Sequence, residues 1–445
     1  MTETLPQRRL SRRGALKLAG GAALLSAFSG ALAACGGIGI GGKEKLTIWT
    51  DATFAPPSDD FQTEVIKKWG EQKGVEIELT REPGADIGRK LQAAVESKQF
   101  PDISQASGSR YTNYLDKDVF LDVSDLYAEV GKPWGGYYKV AEQSASFNGK
   151  QYMLPYSIDS SLILYRADLL KAAGLQPPKT WDELYDQAAK LQKPPELYGV
   201  GFQLNPAGTD AESTYYMMGL SFGAMPVSPD GKTPTFDTPE MLTFVNYVKK
   251  QWDRGVYPPG VTGWDNAANN TNFQEERVVF IHNPASPIVW ARQNKPEFLE
   301  KIGVAAMPAG PTGKAYTPAY IRDGFVLFKS TPDKRQQLAK DLMRHLFSKE
   351  VYPKWMELAF PAPAVAGLEY LDIWKDPRRG GFLEAAKTGV LAGFPGPETP
   401  AWNEFGSRTP YINMLARVIV EKWDPKKAIE EQAKVQKEIY AKYYK

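Results

Sequence analysis

Leu46-Thr47-Ile48-Trp49, Val75-Glu76-Ile77-Glu78-Leu79 and Pro101-Asp102-Ile103 are three short segments separated by stretches of a different period. In the first two, apolar and polar residues alternate, the period of a strand with one buried face. Between them Phe61, Val65, Ile66 and Trp69 recur at helical spacing, and Ile87, Leu91, Ala94 and Val95 do so before the third. Pro101-Asp102-Ile103 begins a short buried strand. Strand–helix–strand–helix–strand is the order of a doubly wound α/β sheet. Ligands of such sheets sit beyond the carboxyl ends of the strands, which here are residues 50–54 and 106–111.

Further along, helix starts are marked by their caps. Thr180-Trp181-Asp182-Glu183 is a capping box ahead of Leu184, Ala188 and Leu191. Thr331-Pro332 and Asp424-Pro425 each place a cap residue before a proline suited to the first helical position. The final helix, from about Pro425, carries Ile429, Val435, Ile439 and Tyr443 on one side. No internal repeat interrupts the alternation.

Upstream of Lys43 the sequence reads as an export leader and not as fold. Arg8, Arg9, Arg12 and Arg13 precede a Gly- and Ala-rich stretch, too short and too weakly apolar for a spanning helix. Ser11-Arg12-Arg13-Gly14-Ala15-Leu16-Lys17 resembles the twin-arginine export pattern, with Ala15 where a larger apolar residue is usual. Leu32-Ala33-Ala34-Cys35 resembles the bacterial lipobox, which implies a leader over residues 1–34 and lipidation of Cys35. The alternative is a plain secretory leader with Cys35 an incidental thiol. Residues 36–42 are then a short Gly-rich tether.

Cys35 is the only cysteine among 445 residues, so no intramolecular disulfide and no thiolate zinc site are possible. Two histidines, His282 and His345, are too few for a histidine-rich metal centre. The chain has 54 basic and 52 acidic residues. Five of the basic and one of the acidic residues lie in the leader, so the remainder is nearly neutral. That balance argues against nucleic acid as a partner, because phosphate recognition needs a basic face. About 400 residues are enough for two domains.

Residues 148–184 narrow the reading. Asn148-Gly149-Lys150-Gln151-Tyr152-Met153-Leu154-Pro155 is followed by Leu162-Ile163-Leu164-Tyr165-Arg166, Ala172-Ala173-Gly174-Leu175 and Pro177-Pro178-Lys179-Thr180-Trp181-Asp182-Glu183-Leu184. In order and spacing this resembles the sugar-type extracellular solute-binding proteins of ABC importers, the family that includes maltose-binding protein. Phe273-Gln274-Glu275-Glu276-Arg277, Val279-Phe280-Ile281-His282-Asn283, residues 302–311 and Asp323-Gly324-Phe325-Val326-Leu327 continue the likeness. The resemblance implies two doubly wound α/β lobes joined by a hinge, with a ligand cleft between them. Lobe one is expected over residues 43–155 plus 320–357, and lobe two over 158–310 plus 358–445. It also implies capture of a sugar by lobe closure and delivery to a membrane permease, by a monomer anchored through lipid at the outer face of the cytoplasmic membrane.

Sugar hydroxyls call for carboxylates and planar amides, and sugar ring faces call for aromatic platforms. The family's cleft loops then nominate Asp51, Thr53 and Phe54 after the first strand and Ser107, Ser109, Arg110 and Tyr111 after the third. Tyr156 and Asp159 fall in the hinge segment; Glu212, Tyr215, Trp264, Asp265, Asn266 and Asn283 fall in lobe two. Tyr320, Arg322 and Asp323 precede a buried strand, and Trp402 lies in a late loop that stacks on sugar in the family. Each has a plainer alternative: packing for the aromatics, a solvated hinge acid for Asp159, a cap for Asn283, salt bridges for Arg110 and Arg322. Residues 105–109 contain no tryptophan, a departure from the maltose-type pattern that favours a mono- or disaccharide.

No G-x-S-x-G elbow, P-loop or metal-ligand cluster marks an enzyme, and no cofactor is expected. A polyamine, an organophosphate ester or ferric iron on the same fold remains open, Tyr215-Tyr216 being the hint for iron. A surface receptor or sensor uncoupled from transport also remains open.

Overall fold

The computed structural model describes residues 43–53, 55–205, 209–265 and 267–444. Residues 1–42, which include the expected leader, Cys35 and the expected tether, lie outside the described residues, as do Phe54 and Asn266. The strands in chain order are β1 (Lys45–Ala52), β2 (Glu76–Pro83), β3 (Ile103–Ala106), β4 (Ser146–Phe147), β5 (Lys150–Gln151), β6 (Leu154–Ser160), β7 (Leu162–Arg166), β8 (Tyr198–Val200), β9 (Val278–Asn283), β10 (Ile302–Ala305), β11 (Ala319–Leu327) and β12 (Ala362–Pro363).

Among the described residues two larger sheets form, in the orders β12-β6-β11-β3-β1-β2 and β10-β7-β9-β8. In the first, β1 runs parallel to β2 and β3, as the opening alternation predicts, with helices Pro56–Lys73 and Gly84–Ser97 as crossovers. The long strands β11 and β6 then join antiparallel. In the second sheet β7 pairs antiparallel with β9 and β10, while β8 is parallel to β9. The architecture is α/β with one sheet per lobe, and β6 passes into β7 through the single buried residue Ser161.

The crossover helices bury the faces their spacing specifies. Ile66 and Trp69 are buried on the first, Ile87, Leu91 and Ala94 on the second. The first ends at Gly74, whose φ of 67° is the left-handed cap that glycine accepts without strain. Thr180 caps helix Trp181–Leu191 by accepting from the Glu183 N–H, and Asp424 caps Pro425–Tyr443 by accepting from the Lys426 and Lys427 N–H groups.

Three expectations are corrected. Helix Asp333–Leu346 begins after Pro332, so Thr331 is not its cap. On the last helix the buried stripe runs through Ile429, Ala433, Gln436, Ile439 and Tyr440, and Tyr443 is exposed, donating to Glu404. The boundary at 358 comes too early. Ala362, Ala364, Val365, Leu368, Leu371 and Leu391 pack in the first lobe's core with β6 and β11, whereas Ala401, Trp402 and Phe405 pack in the second. Because β12 pairs with β6, this segment stays against the first sheet, while Phe360 and, on helix Pro377–Thr388, Phe382 and Ala385 pack on the second sheet's residues. The segment thus spans both lobes before the chain enters the second at Ala401.

Candidate functional site

The antiparallel pairing of β6 and β11 builds one wall of a cleft of about 630 Å³. Tyr320 is paired with Asp159, and Ile321 with Ile158. The register then slips: Asp323 is paired with Ser157 and Gly324 with Pro155, leaving Arg322 and Tyr156 as extra residues. Strict alternation sends neighbouring side chains to opposite faces, but a bulge re-aims one of them. That is how Arg322 and Asp323, and likewise Tyr156 and Ser157, can line the same cleft as consecutive residues.

The remaining walls come from four places. Thr53 follows β1, and Ser58, Asp59 and Gln62 lie in the first turns of helix Pro56–Lys73. From the second lobe come Asp210 in the first turn of helix Thr209–Ser221, Asn270, and Asn283 at the carboxyl end of β9, followed by Ser286 and Val289. Trp355 and Phe360 complete the apolar part. The cleft thus lies beyond strand ends, where α/β sheets present ligands.

Hydrogen bonds hold these groups in place. Asp59 accepts from the Thr53 N–H at 2.7 Å and its hydroxyl at 2.8 Å, and Arg81 approaches the same carboxylate at 3.4 Å. Arg81 also donates to the Asp51 carbonyl at 2.7 Å and the Gln62 side chain at 2.7 Å, tying the end of β1 to the helix start. Asp323 accepts from Gln105 at 2.7 Å. The Trp355 indole donates to Ser58 at 3.0 Å, and its ring packs on Tyr156 with centroids 4.3 Å apart. Across the cleft, Asn283 donates to Asn270 at 2.6 Å and to Asp210 at 3.3 Å, and accepts from Ser286 at 3.0 Å.

Burial pushes the Asp159 carboxyl up to about 6, against the pull of Arg322 and the Ser160 N–H. Burial also pushes Asp210 up to about 6; the Asn269 amide opposes this and the Asp159 charge adds to it. Asp323, and behind it Asp159, hold the Arg322 guanidinium even more firmly protonated than usual. His282, fully buried 2.8 Å from the Thr214 hydroxyl, is pushed down to about 4 by burial and is neutral at pH 7.

Of the nominated residues, Tyr156, Asp159, Asn283, Tyr320, Arg322 and Asp323 line the cleft, with Thr53. Others are placed elsewhere. Asp51 is buried in a two-pronged ion pair with Arg110, at 3.0 and 3.1 Å. Gly84 permits it, since a Cβ there would stand 2.8 Å from the Asp51 carboxylate. Ser107 accepts from the Arg110 N–H at 3.4 Å, and Tyr111 is buried with its hydroxyl on the Ala145 carbonyl. The side chain of Ser109 is outside the described set.

In the second lobe, Glu212 accepts from the Tyr411 and Ile412 N–H groups and so caps helix Pro410–Ile419; burial raises it to about 8. Tyr215 is fully buried and Tyr216 donates to the Phe394 carbonyl, which removes the hint for iron. Among the described residues no cluster of three His, Cys, Asp or Glu could hold a metal. Trp402 is core: it is buried against Tyr216 at 5.3 Å and Phe405 at 6.0 Å. Trp264 packs between the second lobe's clusters, and Asp265 accepts from the Ala267 N–H.

Asp59, Asp210, Asn270, Trp355 and Phe360 were not nominated. Asp210 sits two residues from Glu212, about 200° round the helix, so the same segment presents Asp210 to the cleft and Glu212 to helix Pro410–Ile419. Trp355 lies in the short helix Tyr352–Leu358 and reads as core by spacing.

A Brucella abortus protein described as a binding protein is 25% identical over 319 residues, 71% of this chain and 74% of the relative. The maltodextrin-binding protein MdxE of Bacillus subtilis is 23% identical over 72% of this chain and 69% of its own. The GacH receptor of Streptomyces glaucescens, solved unliganded and with acarbose, matches with TM-score 0.74 at 18% identity over 91% of this chain and all of its own. An ABC transporter solute-binding protein of Thermotoga lettingae, solved with α-D-tagatose, matches with TM-score 0.71 at 22% identity over 89% of this chain and all of its own. These likenesses are to binding proteins, not enzymes. The profile of the bacterial extracellular solute-binding proteins matches residues 54–353, and with a match spanning well over half its length this chain belongs to that family, the substrate-binding components of ABC importers.

Proposed function

We propose that this protein captures a sugar in the cleft between its lobes and presents it, closed, to a membrane permease. The observation that carries the reading is the composition of the cleft. Carboxylates (Asp159, Asp210) and planar amides (Asn270, Asn283) stand beside aromatic faces (Tyr156, Tyr320, Trp355, Phe360), the pairing that hydroxyl-rich rings with apolar faces require. Maltodextrin, acarbose and tagatose in the names of similar proteins support the same class. Because the cleft takes groups from both lobes, a ligand touching both favours the closed state by its differential contacts.

Cys35 is proposed as the lipid attachment that keeps the protein at the outer face of the cytoplasmic membrane. Cys35→Ser then releases the protein from the membrane fraction; retention of the variant there contradicts the anchor. Sugar capture is tested by calorimetric titration with mono- and disaccharides. Saturable 1:1 binding that Asp159→Asn weakens supports the reading, and binding untouched by that substitution contradicts it.

A further inference from the structure

The charges lining the cleft are unbalanced. Among the described lining residues Asp59, Asp159, Asp210 and Asp323 are acidic and Arg322 alone is basic. Arg81, just outside the lining, faces Asp59 at 3.4 Å, and Arg322 lies 3.8 Å from Asp323. Asp159, on the first sheet, accepts from the Ser160 N–H and has Arg322, Asp323 and Tyr320 about it. Asp210 stands on the second lobe, where the amides of Asn269 and Asn283 donate to it at 3.3 Å; those amides are neutral. The two carboxylates feel each other across the cleft, and Tyr320 feels both.

Lobe closure works against this pair. Two like charges on opposite walls repel more strongly as water leaves between them. A proton or a cationic group that enters with the ligand relieves that repulsion.

We infer that the solute is a hydroxyl-rich molecule bearing a protonated amine, an amino sugar or aminocyclitol, and that its ammonium group seats between Asp159 and Asp210. This rests on the sugar reading above and narrows it. An ammonium donates three hydrogen bonds and brings one positive charge, so it joins a carboxylate from each lobe and offsets their repulsion; neutral hydroxyls also donate to carboxylates but leave the two like charges uncompensated. The sign of the pH dependence separates the two sources of charge. Burial pushes both carboxyls up to about 6, into the range where a change from pH 5 to pH 7 alters their charge. An ammonium ligand binds more tightly as pH rises from 5 to 7 and the pair ionises; a neutral sugar closing over a shared proton binds more tightly as pH falls.

The test is calorimetric titration of the full-length protein with glucosamine and its β-1,4-linked dimer against glucose and cellobiose, at pH 5 and pH 7, with putrescine and spermidine as hydroxyl-free amines. The expected result is at least about tenfold tighter binding of the amino sugar at pH 7, about 1.4 kcal/mol. The preference weakens at pH 5 and disappears in Asp210→Asn and Asp159→Asn, whose melting curves report folding. Glucose or cellobiose binding as tightly as its amino counterpart, or tighter at pH 5, overturns the inference and leaves the sugar reading standing. Binding of putrescine or spermidine with none of the sugars overturns both.

Discussion

Tyr320 stands directly opposite Asp159 in the pairing of β6 and β11, and Arg322, two residues on, is the extra residue of the bulge that follows. The three side chains are delivered to one wall by sheet register, not by a loop. A site on paired strands is held more rigidly than one on a loop, so this wall is the fixed half of the cleft.

Removing charge from that wall costs affinity. Asp159→Asn and Arg322→Ala are each expected to weaken ligand binding by about tenfold or more, about 1.4 kcal/mol, with the fold intact. Titration calorimetry measures it, and unchanged affinity in both variants refutes the placement of the site.

Arg81 has no place in the cleft lining, yet it holds the cleft's edge. It donates to the Asp51 carbonyl, the Asp59 carbonyl and the Gln62 and Thr63 side chains. Arg81→Ala is expected to cost about 2–3 kcal/mol of stability, the worth of charged hydrogen bonds left unmade. Denaturant titration checks this; a cost below about 0.5 kcal/mol, typical of an exposed site, contradicts it.

Trp402→Ala separates packing from binding. Buried between Tyr216 and Phe405, Trp402 is expected to contribute about 3–5 kcal/mol of stability and nothing to ligand affinity. Calorimetry on the folded variant decides: lost affinity with unchanged melting restores a stacking role.

The raised acids make stability depend on pH in a definite direction. Asp159 and Asp210 rise from an ordinary 3.8 to about 6, and Glu212 from 4.5 to about 8. A carboxyl that holds its proton longer folded than unfolded stabilises fully below its unfolded value and loses that contribution as pH rises through its folded one. Below about pH 6.5 His282, held near 4 in the fold against an ordinary 6.5, works in the opposite sense to Asp159 and Asp210, so the unopposed window is pH 6.5 to 8. Ligand-free protein is expected to melt lower at pH 8 than at pH 6.5, and Glu212→Gln to reduce that fall. Melting that rises from pH 6.5 to pH 8 contradicts the burial of Glu212.

What was legible in the sequence follows from period and caps. Residues 46–103 alternate as strands and helices do, and Thr180 and Asp424 cap the helices they announce. The hinge acid and Tyr320, Arg322 and Asp323 were reachable through the family's pattern. Which side of a helix meets the cleft was not: Glu212 and Asp210 share a segment and differ by two positions, and a helix N-terminus across the core claims Glu212. Nor was the role of a tryptophan. Both Trp402, in a Gly- and Pro-rich stretch, and Trp355, in a regular helix, are buried, and Trp355 alone of the two borders the cleft, because tertiary neighbours and not local composition decide what a buried ring faces. The bulge at Arg322 leaves no mark in the sequence, since it arises from pairing with a strand more than 160 residues away.

The central claim is capture of a sugar in the cleft, and a thermal-shift screen of neutral and amino sugars with the native protein and Asp159→Asn tests it most directly. A ligand that binds only the folded state at a hundred times its dissociation constant adds about 2.7 kcal/mol of stability. The account predicts a clear rise in melting temperature with at least one sugar, lost or sharply reduced in Asp159→Asn. A rise of equal size in that variant, or no rise with any sugar while a hydroxyl-free compound gives one, contradicts it.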